Sequence, residues 1–264
     1  MKQLKLWVLR HGHCQGGQIL RGKTDVALSE QGWQQMQHAL HSLPCVPAKV
    51  YHSPLQRCAK VSQVYAKQHV IQAQALSWLS EMDFGDWDGV EFDALYQDYP
   101  DEVELFWREP WSKAVTPNNA ETMVEFAQRV THGFTTLLQQ CFADNDLFSN
   151  SALDANGGSN PPTMDKVPTL LLVTHGGVMK LLMNQLLGLG ESNSFFSQLS
   201  LPYAAQLEID VFYDESIMSE SKLHLSDETN AMSGVQAASK IEDTQFFAKQ
   251  GLQFQLHWPS LITG

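Results

Sequence analysis

Two short apolar runs, far apart in the chain, end in the same way and set the architecture. Leu6–Leu9 stops at Arg10-His11-Gly12, and Leu170–Val173 stops at Thr174-His175-Gly176-Gly177. A compact apolar run halted by a glycine turn reads as a strand buried on both faces that feeds a loop. After the second run, Val178, Leu181, Leu182, Leu186 and Leu187 recur at helical spacing over Val178–Leu189, closed by Gly188 and Gly190. Ser29–Leu43 reads as another helix. Lys49–His52 reads as a short strand entering a helix opened by Ser53 as N-cap and Pro54 at the first helical position. Strands alternating with helices predict an α/β fold, a three-layer α/β/α sandwich with a mainly parallel central sheet. Ala205–Phe212 and Leu252–Trp258 are expected as antiparallel edge strands.

With 264 residues, 43% of them hydrophobic, the chain can bury a sizeable core, and a single domain over 1–264 is expected. Polar insertions are read at about 144–168, around Gly157-Gly158-Ser159-Asn160-Pro161-Pro162, and at about 214–242. Lys plus Arg is 17 against 29 for Asp plus Glu, a net charge of −12. That balance argues against nucleic-acid and membrane partners, yet leaves room for a local Arg cluster that holds a small anion. Cys14, Cys45, Cys58 and Cys141 form no CxxC pair, so neither a zinc ribbon nor a disulfide framework is indicated. With no signal-like core and no apolar run of spanning length, the expected location is the cytoplasm. No pattern in the sequence bears on oligomeric state.

Ligands of open α/β sheets bind beyond the carboxyl ends of the strands, where His11 and His175 are both expected. Arg10 directly precedes His11, and Arg57 falls in the first turn of the helix opened at Ser53-Pro54, where free backbone N–H groups favour an anion. Guanidinium groups suit phosphate because their planar donors grip its oxygens in pairs. Singly, a His at a strand end is a structural residue and an Arg in a first helical turn is solvated. Jointly, at the ends of two separate strands, these residues point to a phosphate pocket.

Leu9-Arg10-His11-Gly12, Ser53-Pro54-Leu55-Gln56-Arg57-Cys58-Ala59, Glu81-Met82-Asp83-Phe84-Gly85-Asp86-Trp87-Asp88-Gly89 and Val173-Thr174-His175-Gly176-Gly177 resemble, in order, the motifs of the histidine phosphatase superfamily, also called phosphoglycerate-mutase-like. The likeness covers roughly Leu4 to Phe212 apart from the first insertion. Leu20–Ser29 is similar to the matching segment of bacterial α-ribazole-phosphatase-like members, which serve cobalamin synthesis. The resemblance implies a phosphomonoesterase in which His11 attacks phosphorus and Glu81 protonates the leaving alkoxide, then deprotonates water. It implies further that Arg10, Arg57 and a protonated His175 hold the phosphoryl oxygens, and that Trp78, Phe84 and Trp87 help to raise the pKa of Glu81. Arg21 and Gly176 are expected to bind substrate, and Glu121 is weighed as a further contact. The implied partners are a small phosphorylated metabolite, with α-ribazole 5′-phosphate as the named substrate, and inorganic phosphate as product.

No cofactor or metal is required by this scheme. His11-Gly12-His13 also matches the HxH of metal-dependent amidohydrolases, but the further His and Asp ligands such enzymes need on later strands cannot be assembled here. His13 stands where many relatives carry Glu, a change expected to alter substrate fit rather than phosphoryl chemistry. Thr116–Thr122 is similar to a Pro-x-Gly-Gly-Glu-Ser segment of the phosphatases with both glycines replaced. The acid motif differs from the Glu-Arg-His-Tyr-Gly-like string of the mutases, which favours the phosphatase branch. The alternatives are a phosphoglycerate-mutase-type phosphotransferase and a non-catalytic relative that binds a phosphorylated ligand. A cap over Ser80–Thr122 is expected, with Phe106, Trp107 and Trp111 as its apolar surface.

Overall fold

The computed structural model describes residues 1–149, 167–217 and 244–257. Most of both predicted insertions, 150–166 and 218–243, and Trp258 at the end of the predicted last strand, lie outside the described residues. In chain order the elements are β1 (Lys2–Arg10), α1 (Glu30–His41), β2 (Lys49–His52), α2 (Gln56–His69), β3 (Gln72–Ala75), α3 (Phe92–Asp98), α4 (Pro100–Arg108), α5 (Met123–Ala143) and the single turn α6 (Asn145–Phe148). They continue with β4 (Thr169–Thr174), α7 (Gly176–Leu186), α8 (Asn193–Gln198), β5 (Gln206–Tyr213), α9 (Thr244–Lys249) and β6 (Leu252–His257).

Six strands form one sheet in the order β3-β2-β4-β1-β5-β6. The ladders β3–β2, β2–β4 and β4–β1 are parallel, and β1–β5 and β5–β6 are antiparallel. All six residues of β4 are buried because helices cover both faces at the centre of the sheet. Alternation along that strand divides the core. Leu170 and Leu172 join Phe126, Phe134, Val178 and Leu182 on the α5/α7 side, while Leu171 and Val173 join Met36, Val61 and Tyr65 on the α1/α2 side. The result is the expected three-layer α/β/α sandwich with a mainly parallel sheet. No helix among the described residues is long and apolar enough to cross a membrane.

Several boundaries move, each for a local reason. The second helix starts at Gln56 with Leu55 as its cap, not at Ser53-Pro54, because Asp25 Oδ1 takes the free Gln56 N–H at 2.7 Å and Ser53 Oγ is engaged by His175 Nε2 at 2.8 Å. Helix α7 runs from Gly176 to Leu186 rather than over Val178–Leu189, with His175 in the N-cap position and both Gly188 and Gly190 at positive φ beyond its end. Strand β5 is not an edge, since β6 pairs along its outer side and itself forms the antiparallel edge. Ser29 caps α1 by accepting Gly32 N–H at 3.1 Å. Helix α5, which the sequence reading did not assign, is fixed at its start by a reciprocal capping box between Thr122 and Glu125.

Candidate active site

Register brings the two histidines together. Arg10 on β1 pairs with Thr174 on β4, and His11 N–H donates to Thr174 O at 2.9 Å, so the residues after both strands leave the sheet side by side. Their rings meet edge to face with centroids 5.2 Å apart. Ser53 N–H donates to Val173 O, which lays the end of β2 next to His175.

His11 Nδ1 lies 2.8 Å from Gly12 O. A carbonyl only accepts, so Nδ1 carries the proton and Nε2 keeps its lone pair. Burial first, then the positive charges of Arg57, Arg10 and Arg21, push the pKa of His11 down to about 3, overriding the opposing pull of the Gly12 carbonyl. His175 is fixed in the same manner by its partners. Arg57 Nε donates to His175 Nδ1 at 3.2 Å, which leaves the proton on Nε2 to be given to Ser53 Oγ. Burial and the Arg57 charge hold His175 neutral, well below the usual range, so the protonated His175 expected from the sequence is replaced by a neutral ring.

Arg10, His11, Arg21, Glu81 and Gly176 line one cavity of about 430 Å³. Arg57 and His175 lie buried behind His11 and do not line it. Arg57 Nη1 and Nη2 donate to Thr24 O at 2.9 Å and Gly22 O at 2.8 Å. Asp88 accepts N–H groups from Gly22 and Thr24 on the same loop, so Arg57 and Asp88 clamp the segment that ends in Asp25 from its two polarities. The anion-binding helix start expected at α2 is occupied by Asp25, and the helix start that does face the cavity is that of α7. Arg10 donates to Leu201 O and stacks over Tyr203, with its guanidinium carbon 4.6 Å from the ring centroid, and Arg21 donates to Gly17 O, Gln15 O and Ile19 O. The Nε–H of each is buried without a partner among the described residues. Both guanidinium groups belong to residues that line the one cavity and form no ion pair among the described residues, a setting that suits an oxyanion.

Glu81 is half-buried at the cavity wall, and the burial of its carboxyl raises its pKa against the pull of two backbone donors, Gly177 N–H at 3.1 Å and Met82 N–H at 3.2 Å. Of the aromatics expected around it, Phe84 shares its cavity, with Phe126 and Met123 added from α5. Trp78 packs instead against Gly133 and Phe134, and Trp87 against Tyr99 and Phe106. The backbone around Glu81 is tied down by groups that the sequence reading missed. Thr174 Oγ1 donates to Leu79 O at 2.7 Å. Arg129, from α5, donates to Trp78 O, Ser80 O and Glu81 O and forms a forked pair with Glu121 at 2.8 Å on both arms. Glu121 is therefore a brace, not a substrate contact. In its loop Asn119 takes φ 59°, a left-handed geometry that Asn tolerates, which explains how the segment keeps its turn without glycine. No sequence pattern links residues 81, 121 and 129; only packing of α5 against the loop does.

His13 does not join His11. Its Nδ1 lies 2.8 Å from Ser29 Oγ and its ring abuts Tyr203. Among the described residues the group that could gather three metal ligands is Glu208, Asp210 and His257 on β5 and β6, where the Lys5 ammonium already pairs with Glu208.

The two buried histidines make stability depend on pH with a definite sign. Both fold with pKa values below the unfolded value of about 6.5, so the unfolded chain binds protons that the native state refuses. Their contribution is complete above pH 6.5 and is lost as pH falls from there towards about 3 for His11. At pH 5 His11 alone should cost about 2 kcal/mol relative to pH 7. The raised Glu81 acts in the opposite sense, with stability present below the unfolded carboxyl value of about 4.3 and lost as pH rises through its folded one. Urea unfolding at pH 7 and pH 5 should give a lower midpoint at pH 5, and a midpoint that rises would contradict the neutral pair.

Residues 6–148 match the family model described as histidine phosphatase superfamily (branch 1). The chain is 26% identical over 190 residues to the adenosylcobalamin/alpha-ribazole phosphatase of Escherichia coli strain K12, covering 70% of this chain and 80% of the relative. To the 2,3-bisphosphoglycerate-dependent phosphoglycerate mutase of Corynebacterium glutamicum it is 23% identical over 253 residues, covering 89% and 97%. Among solved structures, mycobacterial glucosyl-3-phosphoglycerate phosphatase superposes with a TM-score of 0.62 at 25% identity, covering 80% of this chain and 92% of that one.

Proposed function

The chain belongs to the histidine phosphatase superfamily, branch 1, and from that premise we propose that it hydrolyses a small phosphorylated metabolite through a phosphohistidine at His11. The observation that carries the reading is the bare Nε2 of His11 at a cavity it shares with the guanidinium groups of Arg10 and Arg21 and with Glu81, whose pKa burial raises. In the first step Nε2 attacks phosphorus in line, the N–P bond forms, the ester P–O bond breaks, and the leaving oxygen takes the Glu81 proton. In the second step the Glu81 carboxylate takes a proton from water, whose oxygen attacks phosphorus. The N–P bond breaks, inorganic phosphate leaves, and neutral His11 returns with Glu81 reprotonated. Arg10 and Arg21 hold the equatorial oxygens, and the Arg57 charge behind His11 keeps the imidazole neutral for attack. No step is routed through a metal.

α-Ribazole 5′-phosphate is the substrate that the resemblance of the Leu20–Ser29 segment favours, and Phe106 and Trp107 on the cavity wall suit its base and ribose. Trp111 sits further back, edge-on to Phe196 with centroids 5.5 Å apart. A panel of α-ribazole 5′-phosphate, 2- and 3-phosphoglycerate and fructose bisphosphates tests the assignment. Release of phosphate with highest kcat/KM on the ribazole ester is the expected result, and interconversion of the phosphoglycerates would move the chain to the mutase reading.

Gly177 gives a sharper local test. A Cβ there would run into Glu81 Oε1, with the Phe126 ring closing the other side at 3.4 Å. Gly177→Ala should lower kcat about 10-fold or more with the nucleophile intact, since misplacing a catalytic group by an ångström is costly. Steady-state kinetics that match wild type would show that Glu81 does not work from this position.

A further inference from the structure

Phosphoryl chemistry uses one end of the cavity and leaves most of its wall unexplained. Beyond the charged end the wall is aromatic and apolar, built from Phe92 on α3, Phe106 and Trp107 on α4, Phe126 on α5 and Phe196 on α8. One cation interrupts it. Lys180 lies on α7 one turn beyond Gly177, is half-buried and lines the cavity. Its ammonium donates to Phe196 O at 2.8 Å and forms no ion pair among the described residues. An ammonium has three donors, so two remain for a ligand. Burial and the nearby Arg10 charge lower its pKa against a smaller opposing pull from Glu81, with which it forms no ion pair. On the reading above Arg10 and Arg21 serve the phosphoryl oxygens, which leaves the Lys180 ammonium for another part of the substrate.

Resting on the phosphatase reading above, we propose that Lys180 is a specificity-determining residue and that the substrate's leaving group is an aromatic or otherwise apolar body bearing an oxygen acceptor, best a carboxylate, that Lys180 receives. The aromatic wall takes the body by desolvation and ring contact, and Lys180 fixes its orientation through a charge-assisted hydrogen bond.

The test compares phenyl phosphate with its 3- and 4-carboxyphenyl counterparts in wild type, Lys180→Met and Lys180→Arg, together with calorimetric binding of the matching aryl phosphonates, whose P–C bond is not hydrolysed. Wild type should favour the better carboxylated ester by about tenfold in kcat/KM and bind the corresponding phosphonate about tenfold more tightly, the size of one charge-assisted contact. Lys180→Met should erase both preferences while holding phenyl phosphate turnover within about threefold, and Lys180→Arg should restore part of them. Wild type without a preference in binding, or Lys180→Met losing activity equally on all three esters, overturns the assignment. A binding preference combined with no turnover of any ester would instead sink the phosphatase reading and leave Lys180 as a ligand-selecting group.

Discussion

His11→Ala should reduce phosphomonoester turnover by about 10⁴-fold or more, the largest loss expected of any single substitution in this protein. The argument is geometric. Only Nε2 of His11 combines a lone pair, fixed by the Nδ1–H bond to Gly12 O, with a place on the wall beside Arg10 and Arg21. His175 cannot substitute, because Arg57 and Ser53 occupy both of its ring nitrogens. Rapid quenching of wild type with labelled substrate into alkali should trap an acid-labile label on His11, as a phosphoramidate requires. Equal turnover by wild type and His11→Ala, or a label on another residue, would return the chain to the non-catalytic, ligand-binding alternative.

Glu81→Gln should cost about 10²- to 10⁴-fold in kcat on alkyl esters, the range of a positioned general acid. Gly177 N–H and Met82 N–H bind different oxygens of the carboxyl group, so the amide keeps an acceptor for one of them and has no acidic proton to give the leaving alkoxide. Two further signatures separate this from a packing defect. On 4-nitrophenyl phosphate, whose leaving group departs without a proton, the loss in the first step should shrink, and a phosphoenzyme burst should appear because water attack still lacks its base. The fall of wild-type kcat/KM on the alkaline side should also vanish in the variant, since that limb reports deprotonation of a carboxyl whose pKa burial has raised. An unaltered pH profile would assign the acid to another group.

Glu208, Asp210 and His257 show by contrast what the site requires. They are titratable and adjacent, yet the Lys5 ammonium pairs with Glu208 and reaches Asp210 at 3.6 Å, and His257 Nε2 lies 3.0 Å from Asp210 Oδ2, so their charges are largely met by one another and by Lys5. Charge left unpaired at a cavity, not titratable chemistry alone, distinguishes the His11 region.

The amino-acid sequence by itself determined the layered α/β architecture and the place of His11 just beyond a central strand, because both are local properties. A doubly covered strand must be continuously apolar, as Leu170–Val173 is, and the turn that leaves such a strand carries Arg10-His11-Gly12 in consecutive positions. The α7 helix was legible for the same reason, although its first turn was not, since whether Gly176 begins a helix or a loop depends on what fills the space beside it. Only the tertiary structure decided which polar groups are free and which are already partnered. Arg57 and Glu121 look like ligand contacts in the sequence, but their hydrogen bonds close on Gly22, Thr24, His175 and Arg129, residues 8 to 118 positions away. Lys180 carried no signal at all, and Gly177 only its place in the glycine turn after His175. Their importance comes from the walls that α7, the cap and α8 build around them, and no periodicity in one segment encodes the shape of the space between three.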